Sequence, residues 1–79
     1  MEIIGYEITS DNGFLSAIVL GTEDITNIFI EKYLKQTLGC NDIKVNSDWN
    51  KKIWKAVIGY EDKSRGYFTG TFRRVKLFA

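Results

Sequence analysis

The chain contains no histidine and no proline, and Cys40 is the single cysteine among its 79 residues. Without histidine, the commonest general base, the Ser–His and Cys–His nucleophile pairs and most transition-metal sites are excluded. One thiol forms no intramolecular disulfide and offers too few ligands for a cysteine-based zinc site. The composition therefore predicts a protein that is not an enzyme and that uses no metal or cofactor.

Long hydrophobic runs are also missing, and the N-terminal residues carry no basic segment. No stretch approaches the roughly 20 apolar residues of a membrane span, and no signal-peptide pattern is present. We therefore expect a cytoplasmic protein without membrane contact. A hydrophobic content of 44% is sufficient for a packed core, and the length predicts a single small domain over residues 1–79.

Charge is distributed unevenly, although the net charge is only +1. Residues 1–43 contain two basic and seven acidic side chains, whereas residues 44–79 contain nine basic and three acidic ones. Such asymmetry is typical of a chain that binds an anionic partner. It is equally typical of a chain whose two halves attract each other, within the fold or between copies.

Alternating apolar and polar residues predict five strands, at about residues 2–9, 14–20, 43–49, 52–61 and 67–78. Asn12-Gly13 between the first two strands is a strong hairpin signal, because both residues tolerate the positive φ of a tight turn. With one helix after the second strand, the order is ββαβββ. We expect the α+β class, an antiparallel sheet with a single helix packed on one face.

The helix is predicted at about residues 24–38, after cap candidates in residues 21–24 and before Gly39 at the C-cap. Its apolar stripe at helical spacing predicts the buried face. The stripe consists of Ile25, Ile28, Phe29, Tyr33 and Leu38, widened by Ile30 and Leu34. We expect Ile28, Phe29 and Tyr33 to share one core with Trp54 of the fourth strand.

The last strand shows a slip in its apolar period between Phe72 and Val75. A β-bulge at Arg73-Arg74 would restore a single apolar face and turn both guanidinium groups to solvent. A strand that bends or ends there is the alternative. Two guanidinium groups held side by side can grip carboxylates or phosphates, so these arginines are the predicted functional centre.

Cations and aromatic rings are interleaved through the C-terminal half, a composition typical of nucleic-acid-binding sheets. The same rings can belong to the core, and lysines on a solvated or edge strand are an ordinary protection against aggregation. The candidate binding residues are Arg73, Arg74, Lys76, Lys55, Lys52, Arg65 and Tyr67.

Apolar residues exceed what one helix can cover. Those expected on the sheet face away from the helix are Ile3, Ile18, Leu20, Ile53 and Val57. Such a surface usually meets a partner or a second copy, so a homodimer or a bound partner is predicted. A twisted sheet whose ends fold over these side chains is the alternative.

The first functional hypothesis is a non-enzymatic interaction protein, an inhibitor or regulator that binds a macromolecule, above all a protein, through a basic, aromatic sheet. Abundant Ile, Lys, Asn, Phe and Tyr, the residues of AT-rich codons, are compatible with a phage or mobile element and also with low-GC bacteria. A nucleic-acid-binding module is the alternative. A small enzyme is the third hypothesis, for which Glu7 and Glu61 would form a carboxylate pair.

Overall fold

The period-two segments form one five-stranded antiparallel sheet, and the period-3.6 segment forms the helix. The structure, a computed structural model, describes the backbone of residues 2–78 and the side chains of residues 3–77. The elements are β1 (Glu2–Ser10), β2 (Ser16–Leu20), α1 (Glu23–Leu38), β3 (Ile43–Asp48), β4 (Ile53–Gly59) and β5 (Arg65–Phe78). The predicted α+β class and ββαβββ order are confirmed.

The long β5 strand connects two hairpins that are offset along its length. The strand order is β2-β1-β5-β4-β3. β1 pairs with residues 70–78 of β5, whereas β4 pairs with residues 65–71. Because the two ladders overlap only near Gly70 and Thr71, the molecule is elongated, with extents of 49 × 23 × 21 Å.

Both ends of α1 are capped as its sequence predicts. The Thr22 hydroxyl oxygen accepts a hydrogen bond from the Ile25 backbone N–H at 3.4 Å, and Gly39 ends the helix with φ 65°. A positive φ is readily available to glycine, so the helix stops there. Within the described residues, α1 is not long and apolar enough to cross a membrane.

The buried face of α1 differs from the predicted one by about one residue. Thr26, Ile30 and Leu34 face the sheet and are buried, whereas Ile25 and Ile28 are 48% and 56% exposed. Thr26 tolerates burial because its hydroxyl donates to the Thr22 carbonyl oxygen at 3.0 Å. The prediction that Ile28 belongs to the core is therefore wrong.

The core lies between α1 and one sheet face, which we call the helix face. It consists of Ile8, Leu15, Val19, Ile30, Leu34, Ile43, Trp54, Ala56, Ile58 and Phe72, with Phe29 and Tyr33 partly buried against it. The Trp54 indole packs directly on Gly70, whose missing side chain makes room for it. The Trp54 Nε1–H is buried and has no hydrogen-bond acceptor among the described residues.

Trp49, in the turn between β3 and β4, extends the core along β5. Its ring stacks on Phe72, with centroids 3.8 Å apart, and meets Tyr6 edge-on at 4.8 Å. The Trp49 ring therefore covers the part of the helix face formed by β1 and β5 alone, beyond the end of the β3–β4 hairpin.

β5 has no bulge at Arg73-Arg74. The register with β1 continues without an extra residue through Phe72↔Ile8, Arg73↔Glu7 and Arg74↔Tyr6. Because side chains alternate along an unbroken strand, Arg73 and Arg74 point to opposite faces of the sheet. The predicted bulge, and the side-by-side pair of guanidinium groups that depended on it, are therefore wrong.

Candidate binding surface

The sheet surface opposite α1, which we call the far face, is open to solvent. Its position follows from the register, because residues directly opposite in a ladder share a face and alternate residues change face. Among the described residues of the far face, Gly5 and Gly59 are buried. All the others, which carry side chains, are exposed or half-buried. No side chain on this surface is therefore withdrawn into a core.

One half of the far face carries a set of apolar side chains on β2, β1 and the end of β5. The set consists of Ile3, Ile18, Leu20, Val75 and Leu77, and the charged pair Glu7 and Arg73 borders it beside Ile18. Ile18 is 54%, Leu20 49% and Leu77 40% exposed. We call this set the apolar patch. It confirms the prediction that Ile3, Ile18 and Leu20 lie away from the helix.

Gly5 shapes the apolar patch. It stands between Leu20 and Val75 in the ladder, and a Cβ on Gly5 would lie 2.6 Å from the Val19 carbonyl oxygen and 3.1 Å from Leu20 Cδ2. The absent side chain therefore lets the Leu20 side chain lie across the strand and join the patch into one surface.

The other half of the far face is basic. It lies on β3, β4 and the start of β5, where Lys44, Lys55, Arg65 and Tyr67 point outward together. The Lys55 ammonium lies over the Tyr67 ring, 4.3 Å from its centroid, and Tyr67 is 56% exposed. We call these four residues the basic cluster. Ile53 and Val57 lie on the same half, as predicted.

One neighbouring group, the Asp42 carboxylate, modifies the charge of the basic cluster. A side chain on Gly59 would collide with the Asp42 carboxylate, and its Cβ would lie 3.5 Å from Arg65 Nη1. Asp42 and Arg65 therefore both lie over Gly59, and the carboxylate offsets part of the Arg65 charge. Lys44 and Lys55 carry the remaining positive charge of the cluster.

The turn that leads into Arg65 is fixed by Asp62. Its Oδ1 accepts hydrogen bonds from the Ser64 hydroxyl at 2.5 Å and from the Ser64 backbone N–H at 2.9 Å. These bonds stabilise the ionised carboxylate and lower the pKa of Asp62 below its ordinary value of 3.8. Asp62 is therefore ionised at neutral pH, in the form that accepts both hydrogen bonds.

The seven predicted site residues are divided among three places. Lys55, Arg65, Tyr67 and Arg73 lie on the far face, Arg74 and Lys76 lie on the helix face, and Lys52 lies in the turn before β4. Arg73 stands directly opposite Glu7 in the β1–β5 ladder, away from the basic cluster. Only Lys55, Arg65 and Tyr67 are brought together.

Lys44 is the member of the basic cluster that sequence reasoning missed. Because β3 alternates with period two, Lys44 points to the far face while its neighbour Ile43 points into the core. Lys44 pairs with Val57 of β4, and Val57 pairs in turn with Tyr67 of β5. Its phase was visible in the sequence, but its neighbours depend on the β3–β4–β5 pairing.

The features that would support catalysis do not come together in one site. Glu7 is on β1, which pairs with β2 and β5, and Glu61 follows β4, so the two carboxylates do not meet across a ladder. Cys40 lines a depression of about 440 Å³ at the end of α1, and its thiol donates to the Gly59 carbonyl oxygen at 2.9 Å. Among the described residues, no group of three His, Cys, Asp or Glu side chains is placed to hold a metal ion.

Comparison with known proteins identifies no relative of this chain. No protein-family model, curated protein or solved structure matches this chain. The structural class, a small α+β domain with one sheet face uncovered, therefore rests on the residues described above, and any function must be argued from them.

Proposed function

We propose that this chain is a non-enzymatic interaction protein that docks on a protein partner through the far face. The observation that carries the proposal is the combination of the apolar patch and the basic cluster on one open sheet surface. An exposed apolar surface bordered by charged residues is typical of protein–protein contact sites. A domain that acts by covering a surface is an inhibitor or regulator, a role compatible with a phage or mobile element.

The chemistry of the two halves describes the partner. Ile18, Leu20 and Leu77 would meet an apolar surface, and hydrophobic contact would supply most of the affinity. Lys44 and Lys55 would meet carboxylates beside it, which favours fast association and fixes orientation. The partner surface is therefore apolar in one region and acidic in the adjoining region.

Two features favour a protein over a nucleic acid. The Tyr67 ring has the Lys55 ammonium 4.3 Å from its centroid, so that face of the ring is covered and not open for a base to stack. The apolar patch would also stay exposed if phosphates occupied only the basic cluster. A protein surface can cover both halves at once.

A site-specific photo-crosslinker tests which surface meets the partner. Placed at Tyr67, it should produce a covalent adduct with one protein in a nuclease-treated bacterial lysate. The matched control is Ile28 on the outer side of α1, which is 56% exposed, as Tyr67 is. Adducts from Tyr67 but not from Ile28 support the proposal, whereas equal yields, or adducts from Ile28 alone, contradict it.

A charge test complements the crosslink. Lys55→Glu should weaken capture of that same partner by about tenfold or more, because it reverses a charge at the centre of the basic cluster. Lys32→Glu, on the exposed side of α1, is the control for net charge. If both substitutions weaken capture equally, the interaction depends on net charge and not on the far face.

Single-stranded nucleic acid is the second candidate, since Lys44, Lys55 and Arg65 also suit phosphates. It predicts that capture is lost on nuclease treatment and that affinity for an oligonucleotide falls with salt, with a log–log slope of about −0.7 per phosphate contacted. A nuclease-resistant adduct at Tyr67 would decide for the protein partner.

A further inference from the structure

The two edge strands of the sheet differ in how they are protected. β3 carries Lys44 and Asp48, and α1 packs along it, with the Ser47 hydroxyl hydrogen-bonded to Asn27 Oδ1 at 2.5 Å. Charged side chains and a covering helix are common protections of a sheet edge. β2, at the other edge, lacks charge altogether.

β2 belongs to the longest uncharged segment near an edge. Residues 14–20, Phe-Leu-Ser-Ala-Ile-Val-Leu, contain no charge, proline or glycine. A segment of this composition on an open edge readily pairs with another strand. Its outward side chains on the far face, Ile18 and Leu20, are about half exposed.

The hydrogen-bond pattern shows which backbone groups of β2 point outward. Gly21 N–H donates to the Ile4 carbonyl oxygen at 3.1 Å, and Ser10 N–H donates to the Leu15 carbonyl oxygen at 2.8 Å. Positions 15 and 21 therefore face β1, as do positions 17 and 19 between them. The N–H and C=O groups of Ser16, Ile18 and Leu20 point away from the sheet.

These three positions are self-complementary under a two-fold axis. Antiparallel pairing of β2 with a second β2 centred on Ile18 places Ile18 opposite Ile18 of the second copy and Ser16 opposite Leu20. The six outward N–H and six outward C=O groups of the two strands then form six pairs of donor and acceptor. The sheet becomes ten-stranded, and the two apolar patches join on its far face.

Apolar side chains at the two ends of β2 also match under this symmetry. Phe14, 40% exposed, lies before β2 on the helix side, with its ring centroid 6.2 Å from that of Tyr33 and 5.2 Å from that of Phe68. Ile25, 48% exposed, lies beside the C-terminal end of β2. A Cβ on Gly21, the residue after β2, would lie only 2.9 Å from Ile25 Cδ1. Antiparallel pairing about Ile18 places the Phe14 end of each β2 strand against the Ile25 end of the other.

This second contact addresses the size of the interface. Stable interfaces bury roughly 800 Å² on each partner, and a five-residue strand spans only about 17 Å. Backbone pairing alone is therefore too small. The exposed Ile25 beside the strand end enlarges the contact on the helix side, and Ile18 and Leu20 enlarge it on the far face.

We infer that β2 is a homodimerisation edge, and that a second copy of this chain pairs with it antiparallel about Ile18. The inference does not depend on the proposed function, although both use Ile18 and Leu20. In the dimer these side chains meet near the axis, and the joined apolar patches and the two basic clusters lie on one far face.

Sedimentation equilibrium of the full chain and its charged variants tests the inference. The wild-type chain should show a monomer–dimer equilibrium. Ile18→Lys should weaken association by at least about tenfold, because two ammonium groups meet at the axis. Ile53→Lys is the matched control, since Ile53 is also a far-face isoleucine, 46% exposed, but lies on the interior strand β4. It should leave association unchanged.

A charge-swap mixture tests the two-fold contact itself. Ile18→Glu alone should also be monomeric, whereas an equimolar mixture of Ile18→Lys and Ile18→Glu should recover dimer, because opposite charges then meet. Should either variant fail to fold, the same logic applies to Leu20→Lys, which Ser16→Glu in the same chain should rescue. A wild-type monomer up to about 1 mM overturns the inference. So does a mixture with no more dimer than its components.

Discussion

Replacing Gly70 by alanine should be one of the most damaging single-methyl additions in this chain. The new Cβ would lie 2.5 Å from both Cε2 and Nε1 of Trp54, and closer still to the Thr9 carbonyl oxygen. Neither neighbour can move freely, because Trp54 is 2% exposed and Thr9 belongs to the β1 backbone paired with β5. Relief requires that β1 separate from β5 or that the indole leave the core.

The cost follows from the rigidity of these neighbours. Overpacking of a core typically costs 1–3 kcal/mol, and two rigid obstacles place Gly70→Ala at the upper end, about 3 kcal/mol. A domain of this length has a total stability of roughly 4–12 kcal/mol. The melting temperature should therefore fall by about 12–24 °C.

Gly66→Ala is the matched control, on the same strand and the same face. The three atoms nearest to its Cβ would all belong to the Tyr60 side chain, with Cε2 and Oη at 3.0 Å, and Tyr60 is 45% exposed and free to turn aside. Its stability should stay within about 1 kcal/mol of wild type. Urea unfolding followed by circular dichroism measures both variants. Equal stabilities for the two would refute the packing of Trp54 on Gly70.

Two further predictions concern the helix and the last turn. Leu34→Ala should cost about 2–5 kcal/mol in urea unfolding because Leu34 is fully buried, whereas Ile28→Ala should change stability by less than about 0.5 kcal/mol. An equal or larger cost for Ile28→Ala would return Ile28 to the core, as the sequence predicted. An NMR titration should place the pKa of Asp62 below 3.8, and Ser64→Ala should raise it. Because the pKa of Asp62 is lower in the folded chain than in the unfolded chain, its hydrogen bonds with Ser64 stabilise the fold above the ordinary pKa. This stabilisation is lost as the pH falls through the pKa of the folded chain.

The elements and their order were readable from the sequence because each depends on local chemistry. Period-two alternation located the strands, Thr22 and Gly39 bounded the helix, and Asn12-Gly13 marked the first hairpin turn. The placement of Ile3, Ile18 and Leu20 away from the helix followed from the same alternation. These predictions needed no knowledge of which strands pair.

The errors came from features that tertiary contacts decide. The apolar stripe of α1 was broad enough to allow several orientations, and packing on β2 and β3 selected the row through Ile30. The phase slip in β5 was interpreted as a bulge because one apolar face was assumed for the whole strand. The predicted site lacked Lys44 because only the β3–β4 and β4–β5 pairings bring it to the same part of the far face as Tyr67.

The phase slip in β5 instead marks the point at which the apolar side chains of the strand change from the helix face to the far face. Up to Phe72 the apolar residues of β5 lie on the helix face, under the core. Beyond it, the helix face carries the exposed Arg74 and Lys76, and the apolar residues Val75 and Leu77 lie on the far face. If water covered both faces at this end, polar residues on both would be the stable arrangement, since exposed apolar area is unfavourable. The position of Val75 and Leu77 on the far face at this end therefore supports the proposal that another protein surface covers it.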